Sequence, residues 1–147
     1  MGWVEVLAVL LVIGFAAGVV VARAQEARER GVAADLRQDF NTLRQAAFDY
    51  RAANGSWPPD AATGEMPPGL EAFLPAGFQL TREHYRFDWE YWRLPDGLPR
   101  HPGIQELVGI SVITELPRVG VALGEALGPA VTWYALDDRF TYIIEGL

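Results

Sequence analysis

The residue best placed to do chemistry is a carboxylate at the head of an apolar run. Glu5 precedes positions 6–22, about 17 residues without a charge. An acid in lipid costs on the order of 2.5–3.5 kcal/mol at mid-bilayer and less near the surface, so it calls for a partner. A positive group from another chain would serve, and the α-amino group of a neighbour's Met1 is the nearest regular source. The other polar candidates are weaker. His84 and His101 are the only histidines, without His-x-x-x-His or Glu-x-x-His spacing, and both read as surface loop residues rather than metal ligands. Asp137-Asp138 could contribute to a Ca²⁺ site, but such a site needs about six oxygens, so a solvated hairpin turn is expected. An enzyme of envelope polymers would need paired carboxylates, and Asp88, Glu90, Glu115 and Asp138 are too dispersed to nominate. Gly-x-Ser-x-Gly, phosphate-loop and dinucleotide fingerprints are missing. No catalytic, cofactor-binding or metal residue is nominated, and no enzyme is expected.

Positioning Glu5 is the work of a helix. Residues 1–30 read as a membrane-embedded segment at the lower length limit for a roughly 30 Å hydrocarbon layer. A cleaved signal peptide would carry a basic start and a core of about 7–15 residues. Here no Lys or Arg precedes the core, and the run continues through Arg23, Glu26, Arg28, Glu29 and Arg30 into a second helical pattern. A retained anchor is expected, and the mixed charges after it leave its orientation open. Over residues 32–53, Leu36, Phe40, Leu43, Ala47 and Tyr50 recur at spacings of four and three, the mark of an amphipathic helix. Gly31 alone separates the two patterns, at a cost of only about 1 kcal/mol, so one long helix is predicted, ended by Asn54-Gly55 and Pro58-Pro59.

Residues 54–84 are rich in Pro and Gly and read as a loop with one short turn near Leu70, pinned to the core by Trp57, Leu70, Phe73, Leu74 and Phe78. The sheet region is 85–147. Tyr85, Phe87, Trp89 and Tyr91 alternate with Arg86, Asp88 and Glu90 on a strand. That aromatic row could stack sugars or bases, yet the apolar helix stripe needs cover and the row reads as core. Residues 108–114 form an inner strand, Pro117 opens a short helix through Leu127 that Gly120 and Gly124 weaken, and strands at 131–136 and 139–145 close the chain. The fold class is therefore α+β, a long N-terminal helix packed by its second half on a small, mostly antiparallel sheet. Residues 31–147 form the globular domain.

Composition sets limits. The net charge is -7, and the twelve basic residues, all arginine, read as scattered among acids; with no internal repeat visible, a nucleic-acid surface is not expected. Cysteine is absent, which excludes disulfides and thiolate chemistry. Five Trp and seven Phe indicate a packed domain.

Glu5 followed by an uninterrupted apolar helix containing Gly14 and Ala17, and the phrase LRQAAFDYRAANGSWPP at the helix exit, resemble type IV pilins and type II secretion pseudopilins. The likeness covers about the first 60 residues. It implies a structural filament subunit of the bacterial inner membrane, a single-pass protein with its globular domain periplasmic or extracellular, that enters the filament after assembly. It implies that Glu5 registers against the Met1 amine of a neighbouring pilin-like subunit, and that a prepilin peptidase and an inner-membrane assembly platform are partners, with membrane lipid before assembly. The small residues Gly14, Ala16, Ala17 and Gly18 are expected to let core helices approach closely. The first residue is Met rather than the commonest Phe, no Pro lies near position 22, and no basic leader ending in Gly, cysteine pair or Asp-Pro-Trp-Gly region is found. The likeness is therefore to a minor or divergent subunit. The alternative is a single-pass anchored binding domain that does not polymerise.

Overall fold

In the computed structural model, which describes residues 2–146, one helix, α1, runs from Trp3–Asn54 over 52 residues without a break. No proline interrupts it, and a side chain at Gly31 would meet open space, so Gly31 is a weak helix former but not a hinge. Gly55 ends the helix in the left-handed region at φ 74°, where its N–H donates to the Arg51 carbonyl at 2.8 Å; a residue with a Cβ resists that conformation. The second half buries Val32, Leu36, Phe40, Leu43, Ala46 and Ala47.

That stripe lies on a four-stranded sheet in the order β1-β2-β4-β3, with every pairing antiparallel rather than most of them. The strands are β1 Tyr85–Arg93, β2 Glu106–Thr114, β3 Trp133–Leu136 and β4 Arg139–Gly146. Tyr85, Phe87 and Trp89 face α1 and are buried, as are Ile110 and Val112 opposite them and Phe140 and Tyr142 beyond. The aromatic row is core, because every second β1 side chain meets the helix stripe. Phe40 and Tyr142 meet edge to face with centroids 5.4 Å apart.

The Pro/Gly-rich loop does pin itself with Trp57 and Leu70, the latter in a short 3-10 turn Leu70–Phe73. It also closes the outer edge of β1. The Gly64 N–H donates to the Phe87 carbonyl at 2.9 Å, the Phe87 N–H to Leu80 at 2.8 Å, and the Tyr91 N–H to Asp60 Oδ1 at 3.1 Å. An open β1 edge would present a row of unpaired backbone groups to other chains; here the loop takes up those of Phe87 and the Tyr91 N–H, and Arg82 donates to the Tyr85 carbonyl.

Helix α2, Pro117–Leu127, begins and ends where the sequence places it, but its glycines play a different part. Gly120 and Gly124 are buried, and a Cβ at either would lie 2.6 Å from the Phe140 ring or 2.4 Å from Trp133. Both glycines weaken the helix intrinsically and let it seat directly on two aromatic rings; the Tyr142 hydroxyl donates to the Gly120 carbonyl at 2.5 Å. Gly124→Leu is expected to lower stability by about 2–3 kcal/mol, a fall of roughly 5–12 °C in melting temperature by calorimetry.

Burial raises the Tyr142 phenol well above its ordinary value, and burial with a 2.7 Å hydrogen bond to Asp39 does the same for Tyr85. A group held neutral in the fold stabilises it fully below the unfolded phenol's value and less as pH climbs past it. Phenolate absorbance should therefore show these two tyrosines titrating above the ordinary phenol range, and stability should fall as pH climbs past about 10.

Candidate functional site

Every described residue from Gly2 to Arg28 is exposed; Arg28 is the first to meet the domain, at His84, and Glu29 is the first to be partly buried. Over an 18-residue window this half of α1 has a mean hydropathy of 2.7 and none of it is buried. Among the described residues one helix, at the N-terminal end, is thus long and apolar enough to cross a membrane. From Trp3 to Arg23 the axial rise is about 30 Å, close to the hydrocarbon thickness, with an aromatic at one boundary and a cation at the other. A cylinder about 25 Å long and 10 Å across exposes roughly 800 Å² of apolar side, worth on the order of 20 kcal/mol once out of water. Patches on soluble monomers are about 300–600 Å² at most, so this half requires a cover.

Glu5 is the third residue of α1. Its carboxylate Oε2 accepts the Gly2 N–H at 3.2 Å, while its own N–H donates to the Gly2 carbonyl at 3.1 Å. The acid therefore sits against the positive end of its own helix, where backbone dipoles favour a negative charge. Sequence reasoning sought its partner only in another chain; the fold supplies one locally and leaves the side chain exposed. Met1 lies outside the described residues.

The continuous helix also sorts the small residues. At about 100° per residue, Gly14, Ala17 and Gly18 share one side, whereas Ala16 falls on the opposite one. A single close helix contact can use the first three; Ala16 belongs to a different face, contrary to its grouping with them by sequence. A Cβ at Gly14 or Gly18 would meet nothing within 4 Å, so this side is open.

Where the uncovered half joins the domain, His84 is largely buried rather than a surface loop residue. Its Nε2 lies 3.3 Å from Arg28 Nη2, its Nδ1 is buried without a hydrogen-bond partner, and Glu83 and Glu115 stand 3.6 Å away on opposite sides of the ring. Carboxylates across a ring cannot share a metal ion with it. His101 is exposed in the β1–β2 loop.

Two of the four dispersed acids do converge. Arg139 Nη1 bridges Asp88 Oδ2 and Glu90 Oε1, each at 2.8 Å, on the sheet face away from α1, and Thr63 and Ser111 complete the cluster. The hydrogen bond that Arg139 donates to Asp88, ahead of the other nearby charges, raises its guanidinium further above its ordinary value. A guanidinium fills the space between the acids, so this is a structural tie rather than a pair poised across a substrate. Sequence alone could not find it, because the tie crosses three strands. Glu115 stays with His84, and Asp138 turns the exposed hairpin, its carbonyl accepting the Thr114 N–H at 3.0 Å. Among the described residues no three His, Asp or Glu side chains converge as metal ligands.

The chain matches no protein-family model, no curated protein and no solved structure. Because residues 2–27 make no buried contact, a chain beginning at Arg28 should fold to the same core, stay soluble without detergent and melt within about 3 °C of the full chain by circular dichroism.

Proposed function

We propose that the chain is a structural subunit of a type IV pilus-like or type II secretion pseudopilus filament, assembled through its N-terminal helix. One observation carries the reading: a single rigid helix serves as the domain's spine in one half and is entirely uncovered and apolar in the other. In this reading the uncovered half rests in the bacterial inner membrane, with the globular domain on the periplasmic or extracellular side. An assembly platform then extracts it, and side-to-side packing with other pilin-like subunits replaces lipid. Glu5 exchanges its Gly2 contact for the amino terminus of a neighbouring subunit, which fixes the axial register. Processing by a prepilin peptidase belongs to the same reading, as does a role that involves no catalysis.

A second reading, the anchored binding domain that does not polymerise, is favoured by one observation: Glu5 already has a partner within its own chain. Replacing Glu5 by Ala separates the two. The filament reading expects normal membrane insertion with at least a tenfold loss of sedimentable filament in cells, measured by shearing and immunoblotting. Normal incorporation of Glu5→Ala would sink the register role, and tolerance of a generic Leu-rich span would favour the anchored domain.

A further inference from the structure

Five of the six arginines of α1 are not scattered; Arg28 alone falls off their repeat, on the opposite flank. Arg23, Arg30, Arg37, Arg44 and Arg51 recur every seven residues, a spacing that keeps them on one flank of a helix with a drift of about 20° per step. With Leu36 facing the sheet, Arg30, Arg37 and Arg44 stand about 80–120° to one side, and Asp35 and Asp49 stand about 100–140° to the other. Arg30, Arg37, Asp35 and Asp49 are exposed and Arg44 is half-buried. Asp35, Arg37, Arg44 and Asp49 form no ion pair among the described residues, and Arg30 has only a 3.8 Å contact with Glu26 between two well-exposed side chains, a kind of pair worth little. Asp35 and Arg30 are five residues apart, as are Asp49 and Arg44. That separation is about 140° around the axis, so neither pair can close within one chain.

We infer that the two flanks of α1 are complementary halves of one contact between copies of this chain, side by side and parallel, with Asp35 and Asp49 of one copy against Arg30 and Arg44 of the next. Asp35 and Asp49 are 14 residues apart, and so are Arg30 and Arg44, so a single axial displacement satisfies both pairs. The displacement is five residues, about 7.5 Å. The contact is heterologous, with a different flank on each copy, and it repeats along an assembly instead of closing as a dimer. This rests on the filament reading above, and the two agree in direction: pairing Glu5 with a neighbour's first residue requires a displacement of four residues the same way, about 6 Å. The apolar half drives association; the charged flanks set where it stops.

The chain has no cysteine, so introduced thiols are the only ones present. The full-length chain in lipid vesicles, treated with a short bis-maleimide, reads the register directly. The pair Arg44→Cys with Asp49→Cys should give a ladder of multimers, whereas either change alone should stop at dimers or below. In that background Asp35→Arg should cut the ladder about tenfold, and adding Arg30→Asp should restore it. Three of the four positions are exposed and Arg44 is half-buried, and unchanged far-ultraviolet circular dichroism of each variant checks the fold. A ladder that is equally strong for Arg37→Cys with Asp49→Cys, or indifferent to charge reversal at residue 35, overturns the register. If Leu10→Cys links copies while the 44/49 pair does not, the register alone fails. If Leu10→Cys links nothing, the filament reading fails with it.

Discussion

One helix has to meet two solvents. Leu36, Phe40 and Leu43 are fully buried against a sheet, and a few turns earlier on the same rigid rod every side chain is uncovered and most are apolar. Because α1 does not break at Gly31, the domain cannot fold back to hide the first half. The apolar surface must then be covered from outside, by lipid or by other helices. Every other feature of the fold either braces the buried half or leaves the exposed half free.

The bracing is economical. The aromatic row of β1 and the pair Phe140 and Tyr142 of β4 share one buried core with the α1 stripe, and α2 and the turn Leu70–Phe73 also lie against α1. Helix α2 comes close enough to pack on Phe140 and Trp133 only because Gly120 and Gly124 carry no side chain. Behind the sheet, the half-buried Arg139 ties β4 to the acids of β1 across the central strand. The loop of residues 54–84 uses its backbone to close the β1 edge, which leaves no long unpaired strand to compete with α1 for partners on that side.

The junction carries the polar detail. Arg28 and His84 meet where the uncovered half enters the domain, and Glu29 approaches Arg118 of α2 at 4.0 Å. Glu5, at the other end, is held by its own helix terminus. A carboxylate satisfied at home can still be exchanged for a stronger partner, because its hydrogen bond is exposed and water competes for it.

What the sequence by itself determined was whatever is periodic and local. The length of α1, its stop at Gly55, the buried face of β1, the bounds of α2 and the Asp137-Asp138 turn all follow from patterns of 3.6 or 2 and from residues with one backbone preference. The seven-residue arginine spacing was equally present in the sequence, but it acquires meaning only once the buried stripe fixes which flank is outside. The tertiary structure alone decided the rest: that Asp88 and Glu90 meet Arg139, that His84 is enclosed, and that two glycines are packing surfaces. These depend on which distant segments touch, and hydrophobic patterning specifies which face is buried without specifying what is buried against it.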